Sequence, residues 1–442
     1  MNGCHKNNSK TFYLYTLGCK VNQYESQQVR EGLLRAGFRE TSKEDATFAI
    51  INTCTVTAQS DIKSRRAVRR VMSTNPRSRI VITGCGVEKH KNNFSDTPQV
   101  AFIGGNVFKD RLVSLITELD KTSQAINSRI EPETLKPDDT RYKGITSFDG
   151  RTRVFIKAQD GCNSSCSYCI IPSVRGQSIS RNVSSICQEI EQVLKNGFRE
   201  IVLTGIHLGQ FSDDNGSTLP ELIRAVVNIH GLSRLRLSSI EPQDIDDEFI
   251  SVFSSSDKIM PHLHLPLQNG DDFILKKMNR RYTIAQYRHI VSALRSVKAD
   301  LLLTTDLIVG FPGENEDCFR RSLDTVIDIG FSKVHVFPFS SRSGTVAHNM
   351  PGKFTKSVIK ERAAYATQET IAKAQTIKSG FIGRQFEVLV ESAYDEQKCQ
   401  WAGMTPNYMK VVFYSEKQLY NKLVPVKITG CQEDCLKGEV AV

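Results

Sequence analysis

From Phe12 to Phe339, short β-branched and aromatic runs alternate with amphipathic helical stretches, and nothing else in this 442-residue chain narrows its fold as far. Strands separated by helices pair in parallel, so the alternation predicts an α/β protein built from βαβ units. Over residues 10–120, an N-terminal parallel-sheet domain, the strand-like runs are FYLYTL (Phe12–Leu17), FAIINT (Phe48–Thr53), RIVIT (Arg79–Thr83) and VAFIGG (Val100–Gly105). A helical pattern, QYESQQVREGLLRAG, closes at Gly37. The pattern stops over residues 121–147, where KTSQAINSRIEPETLKPDDTRYKG reads as a linker or exposed excursion. Over residues 148–376 the alternation resumes, with strands expected at Arg153–Gln159, Glu200–Thr204, Leu235–Ser239, His262–Leu267, Leu301–Val309 and Lys333–Phe339. Six βα units predict a partial (β/α)6 barrel with its chemistry at the carboxyl ends of the strands, although an open doubly wound sheet satisfies the same spacing. Residues 377–442 change character: RQFEVLVES, NYMKVVFYS and KLVPVKITG read as a small all-β barrel of the oligonucleotide-binding kind.

Composition excludes two classes. Hydrophobic residues make up 39% and charged residues 24%, which fits neither a disordered tail nor a membrane protein. No run approaches the ~18 uninterrupted apolar residues of a spanning helix, and MNGCHKNNSKTFYLY lacks the apolar core of a signal peptide. The expected location is therefore cytoplasmic and reducing, so the twelve cysteines point to metal or redox chemistry rather than to disulfides.

Cys162, Cys166 and Cys169 form C-x-x-x-C-x-x-C in QDGCNSSCSYCI, directly after an expected strand. Three thiolates so close converge on one soft metal centre. A zinc site needs a fourth ligand, and none is near in sequence; on a four-iron cluster, three thiolates leave one iron open. A second set comes from the strand reading. Cys19 (TLGCKVN), Cys54 (INTCTVT) and Cys85 (ITGCG) each end a strand, about one βαβ unit apart. In a parallel sheet all three lie at the carboxyl edge, where such folds bind ligands, and Gly18 and Gly84 allow close backbone approach. A single strand-end cysteine is ordinarily a small buried hydrophobe, which is a weaker account of three in succession. Cys187, Cys318 and Cys399, and the pair Cys431 and Cys435, read as structural.

Together these segments resemble the radical S-adenosylmethionine methylthiotransferases over nearly the whole chain. QDGCNSSCSYCIIPSVRG is similar to that family's radical-cluster loop, and TLGCKVNQYES, NTCTVT and TGC are similar to its auxiliary-cluster domain. LSSIEP, LHLPLQNG, TDLIVGFPGE and HVFPFSSRSGT resemble its strand-end segments, and the C-terminal residues resemble its TRAM domain, a small RNA-binding barrel. The resemblance implies two [4Fe–4S] clusters, one on Cys162, Cys166 and Cys169 and one on Cys19, Cys54 and Cys85, with S-adenosylmethionine as cofactor. It gives Tyr168 a place beside the adenine of that cofactor. Gly205 and Gly310 are candidates for close backbone approach to the cofactor and Glu241 for a contact with it, beside ordinary turn and surface roles. No catalytic residue is assigned beyond the cluster ligands. His207, His262, His264 and His335 read as satisfied structural histidines.

The implied activity is that of a sulfur-group transferase acting on tRNA, served by an electron donor such as a flavodoxin or ferredoxin and by a sulfur donor. GCKVNQYES and NTCTVTAQSDIKSRR look most like the members that act at C2 of N6-threonylcarbamoyladenosine-37, beside the anticodon. Members acting on N6-isopentenyladenosine-37, or on a ribosomal-protein aspartate, carry different segments at these cysteines and are the alternative. A non-catalytic iron–sulfur RNA-binding protein is the alternative from another class, disfavoured because a purely structural cluster gains nothing from an open iron.

Charge points to nucleic acid independently. Lysine and arginine number 58 against 48 acidic residues, a net charge of +10. Between Ile62 and Arg79 stand Lys63, Arg65, Arg66, Arg69, Arg70, Arg77 and Arg79, with no acid among them. On a helix, Arg65/Arg69 and Arg66/Arg70 are i,i+4 like-charge pairs that repel unless a polyanion compensates them, so these four are the candidate RNA contacts. Lys276, Lys277, Arg280 and Arg281 form a second basic cluster. For a threonylcarbamoyl carboxylate, Arg175 and Arg342 are the candidate partners.

Overall fold

The computed structural model describes residues 10–90, 98–121, 144–432 and 435–441. Most of the expected linker, residues 122–143, lies outside the described residues. The chain forms two compact units. One runs to Ser147 and also contains Ile170–Gly176; the other holds Phe148–Cys169 and the chain from Gln177 onward.

The first unit is a parallel sheet of β1 (Thr11–Thr16), β2 (Arg39–Glu40), β3 (Phe48–Thr53), β4 (Arg79–Gly84) and β5 (Val100–Ile103), ordered 2-1-3-4-5. All of β3 is buried, as expected of a strand covered on both faces. Its alternation sends Phe48 and Ile50 into one core with Phe12, Leu33 and Ile116, and Ala49 and Ile51 into another with Val68 and Val71. The helices that supply those partners are α1 (Lys20–Arg35), α2 (Ala58–Thr74), α3 (Cys85–His90) and α4 (Leu112–Lys121). A short α5 (Ile171–Arg175) completes the unit. In this strand order the chain reverses direction across the sheet between β1 and β3, and such a switch point opens a crevice at the carboxyl ends.

Helix α1 also buries Asn22, Glu25, Ser26, Gln27 and Glu31, and buried polar groups need partners. Glu31 finds them in Thr146 and Ser147, whose backbone N–H groups donate to it at 3.0 Å. The end of the expected linker is thus tied to the first unit rather than exposed, with Ile145 only 1% accessible.

In the second unit, β6 (Arg153–Lys157), β9 (Glu200–Thr204) and β10 (Arg234–Leu237) form one parallel sheet. β11 (His262–His264), β12 (Leu302–Val309) and β13 (Lys333–Pro338) form another. Single parallel bridges, Leu235 to Ile259 and Ser239 to His264, join the two. Spatial order follows chain order without reversal, which decides for the barrel-like alternative over the doubly wound sheet. No pairing between β6 and β13 occurs among the described residues, so the barrel is partial. A short antiparallel ladder of β7 (Gln159–Asp160) and β8 (Ile179–Ser180) was not expected from the sequence.

The helices between these strands are α6 (Val183–Lys195), α7 (Leu219–Val227), α8 (Asp247–Ser254), α9 (Asp272–Lys277), α10 (Ile284–Val297) and α11 (Glu316–Ile329). Helix α12 (Lys356–Ser379) then leads into a closed barrel of β14 (Gln385–Asp395), β15 (Gln400–Met404), β16 (Lys410–Tyr414), β17 (Leu423–Cys431) and β18 (Leu436–Val440). Sequence reading misses β15 and β18. QWAGM has a glycine and no β-branched residue, and β18 is defined by its neighbours, pairing antiparallel with β17 and in parallel with β16.

The division expected at residue 376 does not separate two units. Glu200, which opens β9, is fully buried and accepts from Arg236 Nε at 2.9 Å, with Arg234 at 3.6 Å and Arg153 at 4.0 Å. The same arginines hold the small barrel: Arg234 donates to the Met404 carbonyl at 3.1 Å and Arg236 to the Pro406 carbonyl at 3.0 Å. Tyr408, at φ +69°, lies under the Arg236 guanidinium at 4.7 Å and the Arg153 guanidinium at 5.1 Å. Burial alone would raise the Glu200 carboxyl, but Arg236, Arg153 and Arg234 hold it below the ordinary carboxylate value. Since Arg153, Glu200 and Arg234 each begin a strand, the small barrel is fixed at the amino ends, opposite the edge where chemistry is expected.

Candidate functional site

In the first unit, the carboxyl ends of β1, β3 and β4 bring Cys19, Cys54 and Cys85 together. Cys19 caps α1 in extended conformation, Cys54 directly follows β3, and Cys85 begins α3. Burial is the main cause raising the Cys54 thiol. Desolvation likewise raises Cys19. In both, the Cys85 charge adds to the rise, which places Cys85 within electrostatic reach of each. Gly18 and Gly84 have φ of +100° and +99°, open to glycine and strained for other residues. A Cβ on Gly18 would stand 2.9 Å from the Cys54 Cβ and 3.0 Å from its sulfur, and one on Gly84 would press on the Thr53 carbonyl.

The GCKVNQYES segment acquires physical roles here. Asn22 Nδ2 donates to the Leu17 carbonyl at 2.7 Å and the Thr53 carbonyl at 3.0 Å, tying the ends of β1 and β3. Ser26 Oγ accepts from Thr16 at 2.7 Å and from Asn52 at 3.0 Å. Glu25, 5% accessible, pairs with Lys109 and with Arg175. That pairing corrects the reading of Arg175 as a partner for a substrate carboxylate, because its side chain is fully enclosed beside Cys85. Arg342 is also buried, at 6% accessible.

In the second unit, the β7–β8 ladder brackets the loop of Cys162, Cys166 and Cys169. Gln159 organises its base, donating to the carbonyls of Asp160 and Gly161 and to Ser178 Oγ, each at 2.8 Å. Its carbonyl oxygen accepts from the His207 N–H at 2.8 Å. His207 Nδ1 lies 3.3 Å from the Cys162 sulfur, and Nε2 lies 2.6 Å from Asp244. Burial would lower His207, but Asp244 and then Cys162 and Glu241 raise it to about 9. The imidazolium in turn leads the groups that lower Cys162 against its own burial. His207 is therefore satisfied, as expected, but at the cysteine loop.

The segment Lys277–Arg280 frames the other side of the loop. Ser167 donates to the Met278 carbonyl at 3.0 Å and to the Lys277 carbonyl at 2.8 Å, and Asn279 to the Ser165 carbonyl at 2.8 Å. Arg280 reaches the Cys166 sulfur at 3.5 Å and pairs with Glu241. Its side chain is 4% accessible, which removes it from the basic surface cluster expected from sequence; Lys276 and Arg281 remain exposed. Tyr168 meets the Phe311 ring edge-on at 6.5 Å, and burial raises its hydroxyl far above the ordinary value.

Packing accounts for the two glycines singled out for cofactor approach. A Cβ on Gly205 would stand 2.7 Å from Gln159 Oε1, and one on Gly310, at φ +74°, would stand 2.6 Å from Ile359. Within the partial barrel, His264 bonds Thr304 at 2.9 Å and Asp306 at 3.3 Å, with His335 5.9 Å away between ring centres. The His262 ring lies tilted against Tyr408, 4.5 Å between ring centres. Sequence reasoning misses the roles of Gln159, Asp244 and Arg280, because each acts through a partner distant in the chain.

No three His, Cys, Asp or Glu side chains close around a point as a single ion requires, among the described residues. Three soft thiols at separate strand ends suit the corners of a larger iron–sulfur body instead. A buried Asn106 Oδ1 has no hydrogen-bond partner, although its Nδ2 donates toward the Cys85 sulfur at 3.6 Å. On α2, Arg66, Arg69 and Arg70 are exposed and Arg65 half-buried, and none forms an ion pair among the described residues. No helix among the described residues is long and apolar enough to cross a membrane.

Residues 11–105 match the model of an uncharacterised protein family, UPF0004, and residues 156–326 match the radical SAM superfamily. The chain is 39% identical over 433 residues to a threonylcarbamoyladenosine tRNA methylthiotransferase of Chlamydia pneumoniae, covering 97% of this chain and 98% of the relative. It is 32% identical to a tRNA-2-methylthio-N(6)-dimethylallyladenosine synthase of Lachnoclostridium phytofermentans, covering 97% and 95%. Among solved structures, the radical S-adenosylmethionine methyltransferase TsrM of Kitasatospora setae, with cobalamin and a [4Fe–4S] cluster bound, shares the fold at TM-score 0.52. That match covers 75% of this chain and 76% of the other, at 16% identity.

Proposed function

The chain belongs to the radical S-adenosylmethionine methylthiotransferases, and from that premise we propose that it adds a methylthio group at C2 of N6-threonylcarbamoyladenosine-37 in tRNA. The observation that carries this reading is the presence of two three-cysteine sets, one at three strand ends in the first unit and one in a single loop of the second. An aromatic C2–H offers no acidic proton to a general base, so proton chemistry alone does not open that position. When bound, [4Fe–4S] clusters and S-adenosylmethionine supply a radical that takes such a hydrogen and a centre at which sulfur is held.

The protein's contribution is binding, orientation and electrostatics. Cys162, Cys166 and Cys169 hold one cluster, and Cys19, Cys54 and Cys85 the other. Around the first, His207 favours thiolate at Cys162, and His207 and Arg280 orient the sulfurs of Cys162 and Cys166. Tyr168 takes the place beside the cofactor's adenine, supported by its buried ring next to Cys169. Glu241, paired with Arg280, keeps that guanidinium in position and so acts on the cofactor site through it. Gly205 and Gly310 serve by letting Gln159 and Ile359 pack against the strand ends.

RNA is held by positive charge and aromatic surface. Arg65, Arg66, Arg69 and Arg70 lack acidic partners among the described residues, and a polyanion relieves their mutual repulsion. The small barrel acts as a TRAM domain, supported by exposed Tyr394 and Tyr414 and by Lys410 over the Tyr394 ring at 4.9 Å. The working site is the cytoplasm, with an electron donor such as a flavodoxin or ferredoxin and a sulfur donor.

The test offers the reconstituted enzyme two hypomodified tRNAs, one carrying threonylcarbamoyl and one isopentenyl at N6, and reads the nucleosides by mass spectrometry. Methylthiolation of the threonylcarbamoyl substrate is expected. Product from the isopentenyl substrate alone would assign the chain to the other tRNA activity, and product from neither would point to a protein substrate.

A further inference from the structure

We propose that Arg175 is a positioning residue for the cluster of the first unit, fixing the Cys85 sulfur by an Nε–H···S hydrogen bond and raising the cluster's reduction potential. This rests on the assignment of Cys19, Cys54 and Cys85 as cluster ligands.

The placement begins in sequence. Ile170 follows Cys169 directly, yet Ile170–Gly176 packs inside the first unit, where Ile170 and Val174 share an apolar cluster with Cys85. Pro172 lies in the first turn of α5, and Gly176 ends the helix at φ +74°, so Arg175 sits at a fixed point in a tight excursion. Its side chain has no exposed surface.

The guanidinium is held on several edges. Its Nη atoms donate to the two oxygens of Glu25 at 3.0 and 3.2 Å, a forked pairing that sets the plane of the group. One Nη also donates to Asn22 Oδ1 at 2.5 Å. With the plane set, Nε–H faces the Cys85 sulfur at 3.2 Å. Such geometry is directional, unlike the contact of a mobile surface cation.

Charge makes the same point. One carboxylate, Glu25, is shared by two cations, Arg175 and Lys109, so its charge is divided between them. Three thiolates on a four-iron core carry net negative charge, and this pair of cations complements it. A cation and an N–H donor at a ligand sulfur stabilise the reduced cluster, which holds one more electron, so they raise its potential.

The test uses the full-length chain with Cys162, Cys166 and Cys169 replaced by Ala, so that iron signals come from the first unit. Arg175→Gln and Arg175→Lys are compared with their parent by iron content, by redox titration and by the electron paramagnetic resonance spectrum of the reduced cluster. Arg175→Gln should bind iron with a more negative midpoint and altered g values; Arg175→Lys, which keeps the charge without the fork, should fall between it and the parent. If the Gln variant does not hold iron, the Lys variant decides alone. A parental midpoint and spectrum in every iron-loaded variant would overturn the proposal. Iron that survives replacement of Cys19, Cys54 and Cys85 in the same background would instead overturn the ligand assignment beneath it.

Discussion

The two cysteine triads reach similar ends by opposite routes. Cys162, Cys166 and Cys169 sit in one loop, gathered by a short ladder whose base is Gln159. Cys19, Cys54 and Cys85 come from three strands and meet only because β1, β3 and β4 are adjacent and in register. A loop site is local and depends on what packs around it. A strand-end site depends on the whole sheet, and small changes in strand spacing reach every cysteine in it.

The largest expected effect separates the triads by function. Replacing Cys162, Cys166 and Cys169 with Ala should halve iron from about eight to about four per chain and abolish reductive cleavage of S-adenosylmethionine. Replacing Cys19, Cys54 and Cys85 should also halve iron, yet leave cleavage in place and stop methylthio transfer. Iron analysis and quantification of 5′-deoxyadenosine check both, and equal cleavage in the two variants would erase the distinction.

A control at the amino ends should cost stability without touching either triad. Glu200→Gln leaves buried arginines uncompensated and should destabilise the second unit by about 3–5 kcal/mol, with iron per folded chain unchanged. Because the folded Glu200 carboxyl lies below the ordinary value, its stabilisation is full above the unfolded value near 4.5 and is lost as pH falls through the folded value. Denaturant melts across that range should show a flatter acid limb in the variant. A parallel limb would mean the three arginines do not hold the charge.

Glycine substitutions sharpen the comparison further. Gly84→Ala forces a Cβ against the Thr53 carbonyl at φ +99°, so a loss of about 1–3 kcal/mol and of iron in the first unit is expected. Gly161→Ala meets the backbone penalty at φ +70°, about 1–2 kcal/mol, and should keep iron at the loop. If the loop variant released iron and the strand-end variant kept it, the contrast between topological and local sites would be reversed.

The smallest effect concerns the surface. Reversing Arg65, Arg66, Arg69 and Arg70 to Glu should leave iron intact and flatten the salt dependence of tRNA binding, by about 0.9 in log–log slope for each phosphate no longer neutralised. Fluorescence titrations at several salt concentrations read the slope, and an unchanged value would make α2 a solvated face.

Fold class, both cysteine triads and the family resemblance are legible in the residues alone. Strand runs and cysteine spacing are local patterns, and each strand-end cysteine is visible as soon as its strand is. Which groups serve those cysteines was settled only by folding. Arg280 reads as one of four surface cations and lies instead against Glu241 and Cys166; His207 reads as a core histidine and lies between Asp244 and Cys162. Arg175 reads as a substrate contact and is enclosed with Glu25 and Cys85. A charge in a sequence carries no mark of its partner. The energy that buries it comes from a counter-charge supplied by a distant segment, and only folding brings that segment within reach.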